Sequence, residues 1–205
     1  MYFDQRLCFF HQKVESQDQL FQMMTDKMLE AGCVKENYYE GISNREKEYP
    51  TGLLVNQTGF AIPHTDSERV NKSQICFLSL DEPIEFEDMV DKSHKISVEL
   101  VFMLAMAQPH EQVNTLQNLI ALFQDDEKVA KLKECNTEKE LMQILNASGI
   151  ELAIEKERRR NVKCITMVYR IRVNGIFTDH YFHIRYYFWS KTSKSSDFRF
   201  YSWNW

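Results

Sequence analysis

Residues 96–107, ISVELVFMLAMA, constrain the fold more than any other stretch. The run is nearly all apolar and carries β-branched residues, yet it is shorter than the ~20 residues a membrane helix needs. A strand of this kind is buried on both faces, so it belongs at the centre of a sheet with helices on each side. Glu99 is the exception, read as lying at an edge or pairing with a cation. Gln108-Pro109-His110 stops the run. With 205 residues, the chain is long enough for one domain with a sizeable core, or for one domain and an appendage.

The elements around this strand follow from caps and periodicity. A first strand is read within residues 1–14. Ser16 opens a helix, with Gln19 at the capping-box position and Gly32 as the C′ residue. Leu20, Phe21, Met24 and Met28 form its apolar stripe, read as core rather than as a ligand surface. Lys35 to Glu48 reads as a second helix with Tyr38, Tyr39 and Ile42 as its buried side. It ends before Pro50, because a residue preceding proline disfavours the α region, and Arg45 falls in its last turn. Gln74 to Leu80 reads as a strand broken by Asp81-Glu82-Pro83, with Ile84 to Met89 a short extended piece. After His110 a helix is expected with Val113, Leu116, Leu119, Ile120 and Phe123 on one side. Asp125 or Asp126 caps a short helix through Leu132, and Thr137 with Glu140 makes a capping box for a helix ending near Leu145. The predicted class is α/β: a mixed β-sheet flanked by helices on both faces, a three-layer α/β/α arrangement.

The net charge of −5 argues against a nucleic-acid binder, which usually carries a basic face. The five cysteines are scattered and form no C-x-x-C pair, so neither a disulfide framework nor a zinc knuckle is suggested, and a reduced, cytoplasmic protein is expected. The start, MYFDQRLCFF, lacks a long apolar core and a small-residue cleavage site and does not read as a signal peptide.

The chemistry concentrates between Arg45 and Asp66, REKEYPTGLLVNQTGFAIPHTD. Leu53-Leu54-Val55, a polar turn and Gly59-Phe60-Ala61-Ile62 read as a hairpin that returns the chain beside Thr51. Pro63 ends the strand, so His64 sits at a strand exit, where rigid scaffolds commonly place reactive groups. An imidazole there can stay neutral near pH 7, offering one nitrogen as a nucleophile while a hydrogen bond holds the other. The hairpin brings Arg45, Thr51 and His64 within reach of one another. Asp66 is read as a cap of the following turn. His11, His94, His180 and His183 carry no pattern and are read as structural.

R-E-x-x-x-P-T-G at 45–52 followed by A-I-P-H at 61–64 closely resembles the fructose/mannitol-type enzyme IIA domains of the bacterial sugar phosphotransferase system. A-I-P-H-T-D and the later F-x-x-M and V-F-M-L-A segments look most like the galactitol branch. The resemblance spans roughly residues 10 to 150. It implies that His64 carries a phosphoryl group, and that His110 matches the family's second functional histidine by position. Arg45 would supply a bidentate guanidinium, and the Thr51 hydroxyl one more donor. The implied donor is the phosphohistidine of HPr. The implied acceptor is a cysteine on a cognate enzyme IIB, which serves the membrane component IIC; the chain itself would meet the membrane only through IIC. No cofactor and no metal is called for, since the donor is already a reactive phosphoramidate and catalysis is alignment and charge stabilisation.

Residues 1–150 are expected to form the phosphocarrier domain and 151–205 a C-terminal extension of another character. A charged run, Glu155 to Arg160, precedes a segment holding all three tryptophans, Trp189, Trp203 and Trp205, with Arg172, Arg185 and Arg199 among aromatics. It is read as an added or frame-shifted C-terminus in preference to a small β appendage or a stacking surface for single-stranded nucleic acid. Two rival functions are weighed. One is a regulatory IIA-like module whose histidine phosphorylation is a signal; no accompanying DNA-binding segment is evident. The other is a metallohydrolase using His64, Asp66 and His110, for which the close histidine pair of H-E-x-x-H is missing.

Overall fold

A computed structural model describes residues 2–3, 7–150, 153–154, 162–173 and 176–187, with side chains for 7–108 and 113–150. The chain divides into two compact units, Met1–Glu155 and Lys156–Trp205. In the first, short strands β1 (Tyr2–Phe3) and β7 (Ala153–Ile154) pair in parallel. The main sheet holds β2 (Cys8–Gln12), β3 (Gly52–Val55), β4 (Thr58–Ala61), β5 (Gln74–Glu87) and β6 (Lys95–Ala105) in the order β2-β5-β6-β4-β3. It is mixed: β2 runs parallel to β5 and β4 parallel to β6, while β3–β4 and β5–β6 are antiparallel.

The apolar run is the central strand β6, and its alternation sends successive residues into two cores. Val98, Val101 and Met103 face Leu20, Met24 and Met28 of α1 (Gln17–Glu30) and Tyr38 and Ile42 of α2 (Tyr38–Glu48). Leu100, Phe102 and Leu104 face Leu119 and Phe123 of α3 (Pro109–Phe123), Leu132 of α4 (Asp126–Glu134) and Leu141 and Leu145 of α5 (Glu138–Ala147). Phe123 stacks on Phe60 with ring centroids 3.9 Å apart. Helices thus cover both faces, as the three-layer reading expects. Among the described residues no helix is long and apolar enough to cross a membrane.

Glu99 is explained by register. β4 pairs Gly59 with Val98 but Phe60 with Leu100, so Glu99 is the extra residue of a bulge. Its carboxylate meets Lys133 at 2.8 Å. The caps appear where the sequence puts them. The Ser16 side chain accepts from Gln19 N, and Gly32 at φ 68° closes α1, its N–H and that of Cys33 donating to the carbonyls of Leu29 and Met28. Asp125 caps α4, and Thr137 with Glu140 forms a complete capping box on α5.

Three expectations are corrected. β5 does not end at Leu80 but runs through Asp81-Glu82-Pro83 to Glu87, the ladder to β6 absorbing these residues in a register shift between Ser79 and Ile84. α2 begins at Tyr38 rather than Lys35, because Val34 still bridges Val70 and the Lys35 N–H donates to the Arg69 carbonyl. On α3, Val113 and Ile120 are exposed, and Leu122 takes a buried place beside Leu119 and Phe123.

Gly59 marks the closest approach of β4 to β6. A Cβ there would lie 1.9 Å from the Ser97 carbonyl oxygen. Gly59→Ala is therefore expected to destabilise the unit by about 3 kcal/mol, since the two strands must part. Denaturant unfolding checks this; an unchanged midpoint would contradict the close approach.

The second unit contains an antiparallel hairpin of β8 (Val162–Val173) and β9 (Ile176–Tyr187), in register from Val162 opposite Tyr187 to Val173 opposite Ile176. The charged run 155–160 and Trp189, Arg199, Trp203 and Trp205 lie outside the described residues.

Candidate functional site

The β3–β4 hairpin turns at Asn56 and Gln57, both in the left-handed region with φ 46° and 69°, as a two-residue turn matched to strand twist requires. This pairs Gly52 with Ala61 and directs the chain to His64. The chain does not leave the sheet at Pro63. The Pro63 carbonyl accepts from Leu104 N at 2.9 Å, and His64 bridges Leu104, so β6 anchors the backbone under the ring.

Two contacts fix the protonation of His64. Nδ1 lies 2.8 Å from the Ile62 carbonyl oxygen, which can only accept, so Nδ1 carries the hydrogen. Nε2 lies 3.2 Å from Nη2 of Arg45, which can only donate, so Nε2 carries the lone pair. Each contact alone selects the same tautomer. Burial pushes the imidazole pKa below its ordinary value and the Arg45 charge adds to this, against the pull of the Ile62 carbonyl and Asp66. The ring is a neutral base at neutral pH, its Nε2 lone pair turned to the Arg45 cation.

Arg45 reaches His64 from the last turn of α2, where a cation also complements the helix dipole. Its guanidinium lies 5.7 Å from the centre of the Tyr49 ring, and its Nε is buried without a hydrogen-bond partner. Arg69 adds a second guanidinium nearby. Its Nη1 meets Asp66 at 3.1 Å, and its Cδ and Nε lie 2.5 and 2.7 Å from where a Cβ of residue 41 would sit, with Thr65 Oγ1 at 2.7 Å. Gly41 lies four residues before Arg45, on the same side of α2. A glycine inside a helix costs about 1 kcal/mol relative to alanine; here it makes room for Arg69. Asp66 sits at the N-cap of the 3-10 turn Ser67–Arg69 without capping it by its side chain, and its carboxylate serves the ion pair instead.

The structure brings Arg45 and His64 together and turns Thr51 elsewhere. The Thr51 hydroxyl donates to Glu46 Oε2 at 2.9 Å, and its backbone N–H donates to Glu46 Oε1 at 2.9 Å. His110 is the second residue of α3, directly after Pro109; its side chain lies outside the described residues. Glu46 was not singled out from sequence, although the spacing R-E-x-x-x-P-T-G contains it next to Arg45. Among the described residues no group of three or more His, Cys, Asp or Glu is placed to hold a metal ion. A guanidinium on Nε2 and another on Asp66 occupy with cations two of the ligands that the hydrolase reading needs.

Glu46 is 6% exposed, and burial raises its pKa to about 6, partly offset by the two Thr51 bonds and increased by Glu87. The folded state therefore holds this proton more tightly than the unfolded one, where the value is near 4.5. Stability contributed at this site is greatest below the unfolded value and falls as pH rises through about 6. Relative to Glu46→Gln, the native protein is expected to lose about 2 kcal/mol between pH 4 and pH 7. Parallel denaturant titrations check this; a pH-independent difference would contradict it.

Residues 1–148 match the family model described as Phosphoenolpyruvate-dependent sugar phosphotransferase system, EIIA 2. The galactitol-specific EIIA component of Escherichia coli K12 is 29% identical over 107 residues, covering 52% of this chain and 71% of that protein. The ascorbate-specific EIIA component of the same strain is 24% identical over 138 residues, covering 67% and 87%. Among solved structures, the complex of enzyme IIAMTL and phosphorylated enzyme IIBMTL from Escherichia coli superposes with a TM-score of 0.58 at 22% identity, covering 71% of this chain and 99% of that one. Sequence motif, three-layer fold and family match agree, and the chain belongs to the EIIA 2 family of the phosphoenolpyruvate-dependent sugar phosphotransferase system, a phosphotransfer component of sugar transport.

Proposed function

We propose that His64 accepts a phosphoryl group from phosphorylated HPr on Nε2 and passes it to the cysteine of a cognate enzyme IIB, in uptake of a galactitol-like alditol or related sugar. The observation that carries this reading is the tautomer: Nδ1–H held by Ile62 and a lone pair at Nε2 facing Arg45. The lone pair attacks phosphorus, the P–N bond of the donor histidine breaks, and the donor ring leaves with its electron pair. His64 keeps its Nδ1 hydrogen on the Ile62 carbonyl, so the phosphorylated ring is cationic and remains a good leaving group for the next transfer. Arg45 neutralises the incoming dianion, as a preorganised donor does in an anionic transition state. His110, at the start of α3, would add a donor to the same group.

The 29% identity to the galactitol component supports an alditol substrate pathway, and the phosphorylated enzyme IIBMTL seen with the related IIAMTL supports a IIB partner. Residues 1–150 would be the functional unit, with 151–205 an extension outside the transfer chemistry. Incubation with phosphorylated HPr is expected to add one phosphate per chain, labile in acid and stable in alkali, and discharged by the cognate IIB. A protein that takes no phosphate from HPr would contradict the reading.

A further inference from the structure

We infer that Glu46 is a positioning residue for phosphoryl transfer: by holding both the backbone and the hydroxyl of Thr51, it fixes α2, which carries Arg45, against the hairpin that ends at His64. This rests on the reading of His64 as the acceptor. Arg45 and His64 come from different elements, 19 positions apart in the chain. Their 3.2 Å contact holds only if the end of α2 is tied to the start of β3.

The tie is short and buried. α2 ends with the Tyr49 N–H on the Arg45 carbonyl, Pro50 follows, and Thr51 turns both its donors back onto Glu46. From Thr51 the chain enters β3 at Gly52, which pairs with Ala61 of β4. Gly52 is wedged as well: a Cβ there would lie 2.4 Å from the Glu87 carbonyl oxygen, and its own carbonyl accepts from Met89 N at 2.8 Å. The clamp thus sits between the guanidinium and the hairpin, one residue after Arg45.

The energetics point the same way. A buried carboxylate is costly unless paired or hydrogen-bonded. Among the described residues no cation pairs with Glu46, whose other polar neighbours are Gln17, at 3.5 Å, and Glu87. An apolar side chain would fill the place at lower cost, so what the carboxylate supplies is geometry. It is the acceptor pair that orients Thr51.

The test measures transfer from phosphorylated HPr and the pH titration of the His64 ring by NMR in Glu46→Ala, Glu46→Gln, Thr51→Val and Thr51→Ser. Glu46→Ala and Thr51→Val are each expected to slow transfer about tenfold, as misplacement of a reacting group does. The double variant should be no slower than either single one, since both break one tie. Thr51→Ser restores most of the rate. In the slow variants the His64 titration moves upward, because Arg45 no longer rests beside Nε2; support of the fold alone would leave it in place. Should Glu46→Ala not fold, Glu46→Gln and Thr51→Val carry the test. Folded variants with native rates and an unmoved His64 titration would overturn the inference. If the native protein takes phosphate on His64 while these variants match it, only the clamp fails. If the native protein takes no phosphate, the reading of His64 fails, and the titration still decides whether the clamp places Arg45.

Discussion

His64→Ala is expected to abolish phosphoryl acceptance from phosphorylated HPr while leaving the protein folded. The loss should be complete, because neither of the other histidines whose side chains are described has this environment. His11 and His94 lie within reach of aspartates, at 3.6 Å from Asp81 and 3.1 Å from Asp91, and neither has an arginine on a free ring nitrogen. The fold should survive because the ring is only half-buried and its backbone is tied independently, through the bond from Leu104 N to the Pro63 carbonyl. The check is radiolabelled phosphate on the native and variant proteins, with circular dichroism on both. Undiminished label on a folded His64→Ala protein would place the acceptor elsewhere.

Arg45→Ala comes next in size. Removing one preorganised donor from a site of developing negative charge typically costs about a hundredfold in rate, and that loss is expected here. Arg45→Lys should recover part of it, since an ammonium supplies the charge without the planar fork. The substitution should also raise the His64 pKa, because a cation that disfavours the protonated ring has gone. Rate and titration are separable: single-turnover transfer gives the first and the ring resonances give the second. A native rate in Arg45→Ala would show that the guanidinium serves only the end of α2.

Much of this architecture is legible in the sequence because local chemistry and tertiary demand agree. The run at 96–107 is apolar on both faces from Leu100 to Met106, and the hairpin has a polar turn between two apolar strands. Ser16, Asp125 and Thr137 cap where their oxygens reach free N–H groups. The misreadings occur where partners distant in sequence decide. Pro83 reads as a strand breaker, but a register shift absorbs it. Lys35 reads as helical until Arg69, 34 positions later, takes its N–H. Val113 and Ile120 fit the helical stripe equally well on paper, and only the placement of α3 over Phe60 and Phe102 exposes them and buries Leu122 beside Phe123, which the stripe already held. The site divides in the same way. His64 and Arg45 are carried by motif and spacing. The partner of the Thr51 hydroxyl depends on how the chain turns at Pro50, and the reason for a glycine at 41 appears only when Arg69 lies across it.

The most direct measurement is the ¹H–¹⁵N multiple-bond NMR spectrum of histidine-labelled protein after treatment with phosphorylated HPr. Phosphorus coupling at Nε2 of His64, with Nδ1 still protonated, is the expected result. Phosphate on Nδ1, or on any residue other than His64, would contradict it.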